Sequence, residues 1–281
     1  MATPNRTSWG NVKPLLGAQI DWGHPLSNGL YISLLVNEGA GEPIDLITRK
    51  RALFTSAPMW SVSREGLSLS TDGSDDEIRF PIPAQLLNVG AWTVSLICRK
   101  RSAPDLVNLW NFNTGSLNKG ICYWWTSGNG MLCQGANLGS STDYSVELSI
   151  DTDITKLHHY HWTSADGDVR PKIYVDGVHR SSNGSAGLSP EQNEGRFDLS
   201  RGSAGGFHSD TEYLAAWVWD RELLADECAA HALNPYAFIQ SPSHRQYFFQ
   251  GEISAEPMSG GIFTRTLMRP HASINTIARI N

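Results

Sequence analysis

Apolar and polar positions alternate with a period of two along much of the chain, which is the pattern of half-buried β-strands. Leu30, Ile32, Leu34 and Val36 carry it first, and Asn37-Glu38-Gly39-Ala40-Gly41 closes that run. Gly66-Leu67-Ser68-Leu69-Ser70 alternates likewise and is followed by a turn cluster, Thr71-Asp72-Gly73-Ser74-Asp75-Asp76. Trp92, Val94, Leu96 and Cys98, set against Thr93, Ser95 and Ile97, form the clearest strand. His158 to Thr163 and Lys172 to Val175 read as a hairpin, with a second tight turn at Asp176-Gly177. Tyr213 to Trp219 is a further strand. Only Leu224 to Leu233 has helical spacing, with Leu224, Cys228 and Ala232 one turn apart and Asn234-Pro235 as the stop. Many short strands, Gly-rich turns and one short helix predict an all-β sandwich over about Leu30 to Trp219, with Trp92, Val94, Leu96, Tyr174 and Trp217 pointing inward.

Composition adjusts this picture at a few points. The 281 residues suffice for one large domain with extensions, and ten Trp suit the filling of a sandwich core. The net charge of −6 speaks against nucleic acid as a partner, since phosphate binding needs a basic face. No apolar run has the length of a membrane span, and MATPNRTSWG lacks a secretory leader pattern, so synthesis in a reducing cytoplasm is expected. Cys98, Cys122, Cys133 and Cys228 make no CxxC pair and are expected to be free thiols. The polar residues 1–21 read as an N-terminal arm, 22–240 as the sandwich and 241–281, after Ser241-Pro242-Ser243, as a C-terminal arm. That last segment carries four Arg against two Glu, a charge of +2, leaving −8 on the remainder.

Taken in order, several segments resemble the laminin G-like, concanavalin A-like jelly-roll domains of many tailed-phage and bacterial proteins. The resemblance starts at His24-Pro25-Leu26-Ser27-Asn28-Gly29-Leu30 and runs through Asn37-Glu38-Gly39-Ala40-Gly41 to Asp45-Leu46. It resumes at Gly66-Leu67-Ser68-Leu69, the aspartate-rich turn Asp72 to Ile78, and Trp92-Thr93-Val94-Ser95-Leu96. Tyr174-Val175-Asp176-Gly177-Val178 resembles the family's hairpin, and Trp217 to Leu223 with Ala225-Asp226-Glu227 and Asn234-Pro235-Tyr236 its closing strand and helix. Arg99 to Asp153 lies outside the resemblance, and Ala225 stands where the family carries a capping Ser or Thr, so a frayed helix start is expected.

The resemblance implies a two-sheet antiparallel jelly-roll sandwich with one short helix and extended terminal arms. It also implies a non-catalytic structural or decoration protein of a phage virion, contacting capsid or fibre subunits and other copies of itself. A glycan-binding lectin or fibre-tip adhesin is the first alternative, and a glycoside hydrolase the second, because this fold hosts all three.

Hydrolases on this fold carry Glu-x-Asp-x-x-Glu along one strand, and retaining chemistry sets its two carboxylates about 5 Å apart. No such arrangement occurs here; Asp151 and Asp153 have the spacing of a pair but no third carboxylate nearby. His159 and His161 would share one strand face and need a further ligand to hold a metal, so a half-exposed strand is the expectation for His158 to Trp162. Asp72, Asp75 and Asp76 are a candidate Ca²⁺ turn, and no other cofactor is expected. Tyr123-Trp124-Trp125 followed by Asn129 offers stacking faces and an amide to a surface glycan, with Trp124, Trp125 and Asn129 as the candidate contacts. In the C-terminal arm, Arg245, Tyr247, Phe248, Phe249, Phe263, Arg265 and Arg269 are the candidate assembly contacts.

Overall fold

The computed structural model describes residues 13–63, 65–81, 91–102, 107–113, 118–125, 130–136, 143–149, 153–165, 172–181, 196–201 and 208–240. Its strands are β1 (Gln19–Ile20), β2 (Leu30–Leu34), β3 (Leu53–Thr55), β4 (Met59–Ser63), β5 (Gly66–Ser70) and β6 (Glu77–Pro81). Then follow β7 (Trp92–Lys100), β8 (Val107–Asn113), β9 (Asn118–Trp125), β10 (Gly130–Ala136), β11 (Asp143–Ser149) and β12 (His158–Ser164). The chain continues with β13 (Lys172–Val175), β14 (Val178–Ser181), β15 (Arg196–Leu199), β16 (Thr211–Trp219), helix α1 (Ala225–Leu233) and β17 (Ile239–Gln240). One sheet runs β11-β10-β9-β8-β15-β6-β3 and the other β14-β13-β12-β7-β16-β5-β4, with β2 beside the second half of β16. Neighbouring strands pair antiparallel, and the chain passes repeatedly from one sheet to the other, as the alternation predicts. Residues Arg99 to Asp153, outside the resemblance, supply β8 to β11 and so one flank of the seven-stranded sheet.

Tryptophans join the two sheets. Trp110 on β8 meets Trp92 on β7 at 5.7 Å and Trp162 on β12 at 5.6 Å, both edge to face. Around them Val94, Leu96, Tyr160, Phe197, Tyr213 and Val218 complete a fully buried core.

A second core lies on the far side of the eight-stranded sheet. There Leu30, Ile97, Leu214, Trp217 and Trp219 are covered by Leu223 and Cys228 at and within α1, by Tyr236 and Phe238 after it, and by Ala18, Ile20 and Leu26 near the start. This corrects the expectation for Tyr174 and Trp217: both are buried, but they face this second core rather than the space between the sheets. Trp92, Val94 and Leu96 do point between the sheets.

Local chemistry explains the closing elements. The β13–β14 turn places Asp176 at φ 52° and Gly177 at φ 77°, the left-handed pair of a two-residue hairpin. A Cβ on Gly177 would stand 2.8 Å from Ala229 Cα, so glycine also lets the hairpin lie against α1. Leu224 caps that helix without a side-chain acceptor; instead Glu227 accepts the Leu224 backbone N–H at 2.9 Å and forms a two-pronged pair with Arg221 at 2.8 and 2.7 Å. The start expected to fray is thus closed from its own first turn.

Near the beginning of the described chain, β1 pairs with β17. Lys13 Nζ donates to the carbonyls of Val36, Leu67 and Leu214 at 2.8, 2.6 and 2.9 Å. Burial pulls the Lys13 ammonium down to about 7, against the opposing pull of Glu38. Cys98 and Cys228 are free and buried. Among the described residues no helix is long and apolar enough to cross a membrane.

Candidate functional site

On β6 and β15 alternation sends Ile78, Phe80, Phe197 and Leu199 into the core and Glu77, Arg79, Arg196 and Asp198 to the opposite face of the seven-stranded sheet. Strand register then sets Arg79, Asp198 and Asn111 side by side across β6, β15 and β8. Arg196 Nε lies 2.8 Å from Asp198 Oδ2, and Arg201 bridges Glu77 at 3.1 Å and Asp198 at 3.8 Å. Arg79 also pairs with Glu77. Three guanidinium groups thus converge on two carboxylates.

Asp198 is fully buried. Burial pushes its carboxyl up to about 6, even though Arg196, Arg201 and Arg79 pull it down, and Glu77 adds to the rise. Asn108 and Asn111 on β8 are also fully buried, and neither amide has a hydrogen-bond partner at its oxygen or its nitrogen. An unmet buried polar group costs about 1–3 kcal/mol. The part-exposed groups of this face are the guanidinium ends of Arg79, Arg196 and Arg201, which suit an anionic ligand.

The residues expected from sequence fall in three places. Trp124 and Trp125 lie on β9, the neighbour of β8 in the same sheet, where Trp124 pairs with Val107 and Met131 and Trp125 with Gly130. Asn129 lies outside the described residues, as do Arg245, Tyr247, Phe248, Phe249, Phe263, Arg265 and Arg269. Asp72, Asp75 and Asp76 bring carboxylate oxygens within 4.8 Å of one another. Asp76 is buried and already accepts the backbone N–H of Ala57 at 2.9 Å and of Asp72 at 3.0 Å, while Asp72 accepts that of Ser74 at 2.8 Å. These bonds close the turn by themselves, and burial pushes the Asp76 carboxyl up.

The histidine strand differs from its expectation. β12 is buried along its whole length, because both faces of the eight-stranded sheet are covered. His158 pairs with Asp176 at 2.8 Å. His159 and His161 share the other face, with ring centroids 4.2 Å apart, and His231 of α1 completes a cluster 4.5 and 5.0 Å from them. His161 Nε2 and His231 Nδ1 are 2.9 Å apart, and Ser95 Oγ is 2.7 Å from His159 Nε2. Burial drives all three imidazoles toward the neutral form, His161 down to about 3. The sequence signal for His231 was its place three residues after Cys228, on the apolar stripe of the helix.

No protein-family model matches the chain, and no curated protein matches it by sequence. Solved structures do resemble it. The binding domain of Paraclostridial Mosquitocidal Protein 1 superposes with a TM-score of 0.58 at 13% identity, over 74% of this chain and 53% of that one. The botulinum neurotoxin serotype G binding domain gives 0.56 at 12% identity, over 73% and 51%. A Trypanosoma rangeli sialidase, solved with a difluorinated KDN ligand, gives 0.56 at 15% identity, over 75% of this chain but 33% of its own. The chain therefore spans about half the length of the toxin domains and a third of the sialidase. At these identities the likeness concerns architecture, and with the sheet order above it makes the fold a two-sheet antiparallel β-sandwich.

Proposed function

We propose that the protein is a non-catalytic glycan-binding β-sandwich whose site is the polar face built by Arg79, Asn111, Arg196, Asp198 and Arg201. The observation that carries this reading is a set of three part-exposed guanidinium groups, Arg79, Arg196 and Arg201, held on one face by Glu77 and the buried Asp198. Guanidinium groups donate to sugar hydroxyls and grip carboxylates with two prongs, so neighbouring arginines can hold one acidic sugar. Three Arg against Glu77 and Asp198 leave the face at +1, which favours a sugar bearing a carboxylate. Structural neighbours support the class: botulinum neurotoxin type C, whose cell entry depends on interaction with two ganglioside molecules, shares the architecture. Glu77 and Asp198 are both held by guanidinium groups, which suits binding better than acid and nucleophile roles. An array of sialylated and neutral glycans tests the reading. Binding is expected, with the affinity of the Arg201→Met and Arg79→Met variants reduced by about tenfold or more. An array without hits, or folded variants that bind unchanged, overturns it, and sugar release from a sialoside overturns the non-catalytic part.

A second reading, a structural subunit of a phage virion, rests on residues 241–281, which are more basic than the remainder and hold Tyr247, Phe248, Phe249, Ile262, Phe263 and Leu267. Such a segment is too short for a core of its own and too apolar for a solvated tail, so it would lie across another copy or a capsid or fibre subunit. Truncation after Gln240 is expected to leave a folded sandwich that no longer self-associates, measured by light scattering. Unchanged self-association removes the arm from that role.

A further inference from the structure

We propose that His159, His161 and His231 form a binding site for a late first-row transition ion, Zn²⁺ or Cu⁺, which pins helix α1 to the eight-stranded sheet. The three rings come from two elements far apart in sequence, β12 and α1, and one ligand nitrogen from each lies within 4.8 Å of the other two. An ion about 2.0–2.1 Å from each nitrogen holds them about 3.3–3.6 Å apart. His161 Nε2 and His231 Nδ1, hydrogen-bonded at 2.9 Å, have to part by about 0.4–0.7 Å to share an ion.

The surroundings match such a site. Ser95 Oγ lies 2.7 Å from His159 Nε2, and the Pro235 backbone interacts with His231. Hydroxyl and carbonyl partners of this kind orient ligating imidazoles. His161 Nδ1 is fully buried and lacks a partner, so the cluster does not complete its own hydrogen bonding. Trp217, Trp219 and Phe238 pack around His231 with centroids 4.7, 5.3 and 5.5 Å away. Neutral nitrogen ligands in an aromatic shell select against Ca²⁺ and Mg²⁺, which require oxygen, and favour ions with an affinity for imidazole. Charge separates the two ions: the solvation cost of burial grows with the square of the charge. Cu⁺ is served by three neutral ligands, whereas Zn²⁺ needs a fourth donor.

Because the cluster is closed to solvent, the ion has to enter during folding. The full chain is unfolded with chelator, refolded with Zn²⁺ alone or with Cu⁺ alone under reductant, and desalted. Metal per chain and X-ray absorption at the metal edge are then measured. The expected result is about one ion retained per chain for one of the two metals, with three imidazole nitrogens in its first shell. The His161→Gln and His231→Gln variants are expected to retain at least tenfold less. If the refolded wild type keeps neither ion, or a folded variant keeps as much, the site is wrong. Should neither variant refold, the absorption spectrum of the wild type decides, and a bound metal without imidazole scattering overturns the proposal.

Discussion

Taking the chelator-treated protein from about pH 7 to about pH 5.5 is expected to remove several kcal/mol of folding stability. His159, His161 and His231 are held neutral in the fold, chiefly by burial, well below their ordinary value of 6.5. In the unfolded chain they take up protons as the pH falls through 6.5, while the folded chain takes up none until far lower. The unfolded state therefore binds more protons in this window, and stability declines as the pH drops. Each histidine contributes about 1.3 kcal/mol of loss between these pH values, about 4 kcal/mol for three. Asp198 works in the opposite direction. Its folded carboxyl, raised to about 6 from 3.8, is protonated before the unfolded one and returns about 1 kcal/mol over the same range. The net loss of about 3 kcal/mol is a large share of a typical domain's 5–15 kcal/mol. Urea midpoints at the two pH values measure it, and a His161→Gln variant should lose about two fifths less. Equal midpoints at both pH values would contradict neutral burial of the cluster.

Replacing Trp110 with Ala is expected to destabilise the fold by about 3–5 kcal/mol, the range for deleting a fully buried large aromatic. Trp110 has no exposed surface and is the ring through which the seven-stranded sheet reaches Trp92 and Trp162 of the other. Its loss opens a cavity at the contact between the sheets and removes two edge-to-face pairs, each worth about 0.5–1.5 kcal/mol beyond burial. A domain of this size should show a melting temperature lower by about 10 °C. A shift below about 3 °C would mean that the two sheets are held together elsewhere.

Much of the architecture was legible because strands announce themselves by period. The alternation in β7, the Asp176-Gly177 turn and the spacing of Leu224, Cys228 and Ala232 were each enough to place an element. Period two, however, says only that neighbouring residues face opposite ways. Where both faces of a sheet are covered it does not say which is which, and so Tyr174 and Trp217 were assigned to the wrong core. The same double covering hid the histidine cluster, since a strand reading His-His-Tyr-His-Trp looks half-exposed until a helix seventy residues later is laid upon it. The polar face escaped for a related reason. Arg196 and Asp198 lie two apart on one short strand, and only the register with Arg79 and Asn111 brings them into one group. The Trp124–Trp125 pair, singled out as an aromatic platform, lies one strand from that group.

The position of β16 governs the order in which the protein can be made. This strand sits between β7 on one side and β2 and β5 on the other, yet it is residues 211–219 of the chain. During translation β2, β5 and β7 leave the ribosome long before their shared partner exists, each with an unpaired edge. The carbonyl of Leu214 that receives Lys13 and the strand that pairs β1 also come late, with partners separated by about two hundred residues. The eight-stranded sheet therefore closes only after residues 211–219 have been made. A ribosome stalled shortly before residue 211 would display an incomplete, adhesive sheet, and cells making this protein must shield or quickly finish it.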